Sequence, residues 1–124
     1  MSDWLLRDMT ALMCGGHHGN VHAVEALLRN GADPSALNWQ RRTALHCTAM
    51  TGHEGCAKLL LAAMLAANSP IDGKDMWGKT ARDWAASRAY TGVVAAIDEA
   101  MLKATLARSG VQGAQGTRTV PVVL

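Results

Sequence analysis

The sequence predicts an all-α fold of stacked helix-turn-helix units, and three observations carry that reading. Of its 124 residues 49% are hydrophobic, yet there is no Phe and only one Tyr, and Ala, Leu and Met dominate. Small and unbranched side chains suit closely packed helices better than sheets. The chain also repeats itself. Thr10-Ala11-Leu12-Met13-Cys14 lies over Thr43-Ala44-Leu45-His46-Cys47 at an offset of 33 residues, and Gly19-Asn20 and Ala26-Leu27-Leu28 lie over Gly52-His53 and Leu59-Leu60-Leu61 at the same offset. A third copy starts at Thr80, 37 residues after Thr43, and Asp75 ahead of it takes the place that Asn38 holds ahead of Thr43.

Each element of the repeat has a local cause. Thr10, Thr43 and Thr80 stand where a hydroxyl can accept from free amides of a first helical turn. Gly19 and Gly52 fall where a short helix must end in a left-handed residue. A second helix follows, with helical spacing of Val21, Val24, Leu27 and Leu28, then of Cys56, Leu59, Leu60 and Met64. Gly31-Ala32-Asp33-Pro34 breaks the first of these and opens a turn. The four extra residues before the third copy fall in LAAMLAANSPIDGKD. Four residues are about one helical turn, so they lengthen the second helix without rotating its apolar face. Asn68 can end it in αL, and Pro70 stops it. The expected division is a repeat domain over 1–107, with repeats near 5–37, 38–74 and 75–107, and a flexible tail over 108–124.

Thr43-Ala44-Leu45-His46 with Gly52-His53, together with Asn30-Gly31-Ala32-Asp33, resembles the ankyrin repeat, whose period is 33 and whose signature reads T-P-L-H-x-A. The resemblance covers roughly residues 3 to 106 and implies an ankyrin-repeat solenoid of helix-turn-helix units joined by hairpin loops. It also implies that His46 braces backbone between repeats and that no catalytic centre is present. Two departures stand out. Gly15-Gly16 replaces the usual Ala-Ala, which should cost the first helix about 1–2 kcal/mol and implies either a mobile first repeat or a tight approach by a neighbouring element. The third copy has Arg82-Asp83 for Leu-His and Ala89-Tyr90 for Gly-His, and as the end of the array it wants a polar outer face, which Asp98, Glu99 and Lys103 supply.

The two histidines and the cysteine of TALHCTAMTGHEG invite a chemical reading. His46 and Cys47 are adjacent, however, and on a helix they point apart, which rules out a nucleophile and base. Cys14, His17 and His18 share a helix face, but a structural zinc wants a fourth ligand that the spacing does not supply. No metal or other cofactor is expected, and a metal- or redox-responsive protein is the least favoured alternative. No nucleotide loop, acid-base pair or nucleophile elbow appears. The net charge of +2 is not gathered into a basic run and argues for no nucleic-acid partner. The longest apolar stretch, Leu59 to Ala67, is far too short to span a membrane. With three cysteines and no secretory signal, reduced thiols in the cytoplasm or nucleus are expected.

What the resemblance implies instead is a protein partner, bound by loop tips and the concave helix face. On that strip the sequence places Arg7, His17, His18, Trp39, Gln40, Arg42, Met50, Met76, Trp77, Lys79 and Arg88, with Trp39 as anchor and Arg42 as an exposed rim charge. Trp, Met and Arg are enriched at interfaces. A docking or accessory subunit of a larger enzyme assembly is the alternative. The end, Val122-Val123-Leu124, resembles the short C-terminal ligands that add a strand to PDZ-type domains.

Overall fold

Six α-helices make up the described residues: α1 (Ala11–His18), α2 (Val21–Arg29), α3 (Ala44–Thr51), α4 (Glu54–Ala66), α5 (Ala81–Ser87) and α6 (Thr91–Ser109). This computed structural model describes residues 10–109, with side chains to 107. The helices alternate between two layers. α1, α3 and α5 pack in one row, while α2, α4 and α6 pack in the other, and each helix of a pair also touches its partner. Eight-residue helices such as α1 and α3 are marginal alone, so the stack holds them.

The starts and stops follow the sequence. Thr10, Thr43 and Thr80 are the N-caps of α1, α3 and α5, each side chain accepting from an amide three residues on. Gly19 and Gly52 end α1 and α3 at φ 72° and φ 80°. A Cβ at Gly52 would run into the ring of Tyr90 from the next repeat, as one at Gly19 would meet the His53 ring. Ala89, the third copy's counterpart, is also left-handed at φ 62°.

The extra turn lands where the spacing puts it. α4 has 13 residues against nine in α2, Asn68 follows at φ 58°, and Leu60, Leu61 and Met64 stay in the core. Gly15 and Gly16 mark a close approach, as the sequence left open. Both are buried, and a Cβ on Gly16 would collide with the Thr48 hydroxyl of α3.

Two expectations need correction. Val21 is 41% exposed, because only Val24 of α2 turns fully into the core. The last helix also runs past the expected boundary at 107, to Ser109. Residues 1–9 and 110–124, with Arg7 and Val122-Val123-Leu124 among them, lie outside the described residues.

The core is one continuous cluster running through all three repeats, from Leu12, Met13 and Val24 through Leu45, Leu60 and Met64 to Val93 and Ile97. No helix among the described residues is long and apolar enough to cross a membrane.

Candidate protein-interaction surface

His46 is the brace between repeats. Its Nδ1 accepts from the Thr43 amide at 3.1 Å while the Thr43 hydroxyl accepts from the His46 amide, closing a capping box. With Nδ1 an acceptor, Nε2 carries the proton and donates to the Lys79 carbonyl of the next repeat at 3.2 Å. Burial holds the imidazole below its ordinary 6.5 against the opposing pull of the Lys79 carbonyl and the Asp75 charge. Cys47 beside it is equally structural, because burial pushes its thiol up to about 11. Among the described residues no three His, Cys, Asp or Glu side chains stand close enough to hold a metal ion.

The loops ahead of α3 and α5 are built alike. The side-chain oxygen of Asn38 accepts from the amides of Gln40 and Arg42, and Asp75 Oδ1 accepts from those of Trp77 and Lys79. The two tips are then tied together, the Met76 amide donating to the Gln40 carbonyl at 2.9 Å. Trp39, Met76 and Trp77 stand on these joined tips, 46%, 51% and 53% exposed.

Beneath the tips lies an ionic and aromatic cluster. Asp75 is buried, and its Oδ2 accepts from the Trp84 indole at 2.8 Å and from Arg42 Nε at 3.3 Å. Burial pushes this carboxyl up, but the donated hydrogen bonds from Lys79, Trp84, Trp77 and Arg42 outweigh it and hold it below the usual 3.8. The Arg42 guanidinium sits between two indoles, 4.7 Å from the Trp77 ring and 5.0 Å from the Trp84 ring, and it also donates to the Gln40 side chain. Lys79 and Arg88 approach the Trp84 ring at 5.2 and 5.7 Å and remain exposed.

The structure therefore brings Trp39, Gln40, Arg42, Met76, Trp77, Lys79 and Arg88 into one neighbourhood. His17 and His18 stand apart at the end of α1, exposed, their rings edge-on at 5.1 Å. Burial, then the neighbouring His18 and His53, lowers the His17 pKa. Met50 is half-buried near the end of α3. The correction concerns Arg42: its side chain is only 12% exposed and paired, so it is not a rim charge but the support of the tips.

Asp75 and Trp84 were missed as site residues. A signal existed: in the 37-residue register Trp84 falls on the buried Cys47 position, and a buried indole N–H requires an acceptor.

A family model described as "Ankyrin repeats (3 copies)" matches residues 9–101. Over 87 residues, 70% of this chain, it is 29% identical to a potassium channel, KOR2, of Oryza sativa subsp. japonica, covering 12% of that protein. Over 54 residues, 44% of the chain, it is 41% identical to the ankyrin repeat protein nuc-2 of Neurospora crassa, covering 5% of it. An L-asparaginase of Dirofilaria immitis is 39% identical over 51 residues, 40% of the chain and 9% of that protein. The chain thus spans only about a tenth of the length of these curated relatives. The human ASB11 ankyrin repeat domain superposes with a TM-score of 0.67 at 23% identity, over 74% of this chain and 40% of that one.

Proposed function

This chain belongs to the ankyrin-repeat family, and on that footing we propose that it is a non-enzymatic module that binds a protein segment of acidic character through its loop tips. Repeats of this family are in general protein–protein interaction modules. The observation that carries the reading is the pairing of two tips. Trp39, Met76 and Trp77 form an exposed apolar crest on loops bonded to each other, beside the exposed cations Lys79 and Arg88. Aromatic anchors of this kind dominate binding energy, and rim cations steer encounter.

The outer helices expose apolar side chains too, Val21 on α2 and Leu102 and Leu106 on α6, but no tryptophan. Charged pairs form along each of them, Glu25–Arg29, Glu54–Lys58 and Glu99–Lys103, while Asp98 of α6 pairs with Arg82 of α5. In this reading His17, His18, Met50 and Gln40 extend the contact, and Arg42 holds Trp77 in place.

The test is affinity capture with the wild type, Trp77→Ala and the outer-face variant Glu25→Ala, each checked for folding. A protein retained by wild type and Glu25→Ala but lost by Trp77→Ala is the expected result, and equal retention by all three sinks the assignment. Trp39→Ala should cost about 2 kcal/mol or more in affinity for that protein.

A second reading has support of its own. The matched segments of the asparaginase and the channel are small parts of long proteins, so the repeats here could serve as the docking part of a larger assembly. Co-purification of an enzyme at fixed stoichiometry under native expression favours that reading, and a freely exchanging partner disfavours it.

A further inference from the structure

Between the bases of the two loops lies a cleft of about 210 Å³ whose chemistry the crest above does not use. Its apolar part is Leu37, Pro70 and Ile71, with Leu37 54% exposed. Its charged part is Arg41 and Lys74. His46 also lines it but has nothing to offer, since both ring nitrogens are engaged by Thr43 and Lys79. Arg41 and Lys74 are exposed, and neither side chain joins an ion pair with another described residue. Asp33, which accepts from the amide and hydroxyl of Ser35, stays ionised nearby, and Asp72 lines a separate groove, so the charged side chains of the cleft lining itself are Arg41 and Lys74.

The backbone of Arg41 supplies an independent observation. It sits at φ 61°, in the left-handed region, where the matching residue of the next loop is Gly78 at φ 76°. Glycine meets that conformation at no steric cost, whereas a side chain there is strained. The loop carries a strained arginine where glycine would close the turn, and that arginine lines a cleft with a second free cation.

We propose that this cleft takes an acidic side chain of the bound protein segment, its carboxylate gripped by Arg41 and Lys74 and a neighbouring apolar residue resting on Leu37, Pro70 and Ile71. The proposal rests on the binding reading above and specifies the chemistry of the partner. Two cations converging on one carboxylate give charge-assisted hydrogen bonds, and the apolar wall selects acidic residues that have a leucine-like neighbour.

The probe is a fluorescent peptide, Gly-Ser-Leu-Glu-Leu-Glu-Leu-Ser-Gly, with a counterpart carrying Gln for both Glu, titrated against the full chain by anisotropy. The Glu peptide should bind about tenfold tighter than the Gln peptide, with Arg41→Gly and Lys74→Gln each erasing most of that ratio. Lys58→Gln on α4 should leave it intact. Arg41→Gly should at the same time raise the thermal midpoint by a few degrees, roughly, since it relieves the strained turn. A merely structural arginine would lower it. Equal binding of the two peptides, no binding at about 1 mM, a concentration where even weak complexes form, or wild-type affinity in both cleft variants overturns the proposal. If those variants bind normally while Trp77→Ala does not, the crest stands and the cleft falls. Indifference to all three substitutions removes both. A phosphoserine peptide that binds about tenfold tighter than the Glu peptide, through Arg41, would overturn the carboxylate assignment in favour of phosphate.

Discussion

The loops that precede α3 and α5 share a turn, and the side chains that anchor it, Asn38 and Asp75, differ by one atom. In each, a side-chain oxygen accepts two amides, from Gln40 and Arg42 onto Asn38 and from Trp77 and Lys79 onto Asp75. The amides of Asn38 and Asp75 donate to the carbonyls four residues on, those of Arg42 and Lys79. The second side-chain atom separates them. In Asn38 it is an amide nitrogen that, among the described residues, reaches only Gln40, at 3.4 Å. In Asp75 it is an oxygen that accepts from its own helix through Trp84 and from the preceding loop through Arg42. One loop closes itself, while the other closes itself and ties two repeats together. A local turn residue thus becomes a long-range tie once donors converge on its spare oxygen.

The sharpest way to break this contrast is to remove each anchor. Asp75→Ala should destabilise by about 3–5 kcal/mol, since it leaves a buried guanidinium and an indole N–H without their acceptor. Asn38→Ala should lose only the turn, about 1–3 kcal/mol. Urea denaturation measures both, and equal losses would mean that the tie through Trp84 and Arg42 adds nothing to the turn.

The next effect concerns the capping boxes behind the loops. His46→Ala should cost about 1–3 kcal/mol, because it strips the Lys79 carbonyl and the Thr43 amide of a partner. Asp83, at the matching place in α5, caps the Thr80 amide at an exposed site. Asp83→Ala should therefore cost less, about 0.5–2 kcal/mol as exposed caps do. An unchanged midpoint for His46→Ala would sink the brace.

His46 also gives the fold a pH signature with a definite sign. Its folded pKa lies below the ordinary 6.5. As pH falls below 6.5 the unfolded chain takes up the proton first, and stability drops until the folded pKa is passed. His17 contributes with the same sign, so the informative quantity is the difference between wild type and His46→Ala between about pH 7 and pH 5. The wild type should lose more. Asp75, held below 3.8, adds a second loss only in stronger acid.

Much of this architecture is written locally, which is why the sequence betrays it. Threonine caps, left-handed glycines and the helical turn added to α4 depend on neighbours within a few residues, and they stand where spacing puts them. The exposed tips were legible as well, because Trp39, Met76 and Trp77 sit in loops without helical period. What escaped depends on contacts across repeats. Arg42 looks like any loop cation until Asp75, 33 residues away, and the two indoles close around it. The cleft likewise needs Arg41 and Lys74 from two loops, a juxtaposition that neither segment declares alone.

The smallest effect expected lies on the outer helices, and it bounds the comparison from below. Glu25 and Arg29 pair at 2.9 Å, but their side chains are 44% and 74% exposed, against 0% and 12% for Asp75 and Arg42. An exposed pair is screened by salt and loses side-chain entropy for little Coulomb gain. Glu25→Ala should thus shift stability by no more than about 0.5 kcal/mol, and about 1 M salt should abolish even that difference. The Arg42–Asp75 tie, shielded by Trp77 and Trp84, should keep most of its effect in the same salt. Urea midpoints at low and high salt for wild type, Glu25→Ala and Asp75→Ala decide the matter. If Glu25→Ala proves as costly as Asn38→Ala, the outer charges hold the stack together, and they no longer serve as a neutral background against which the loop tips stand out as the binding face.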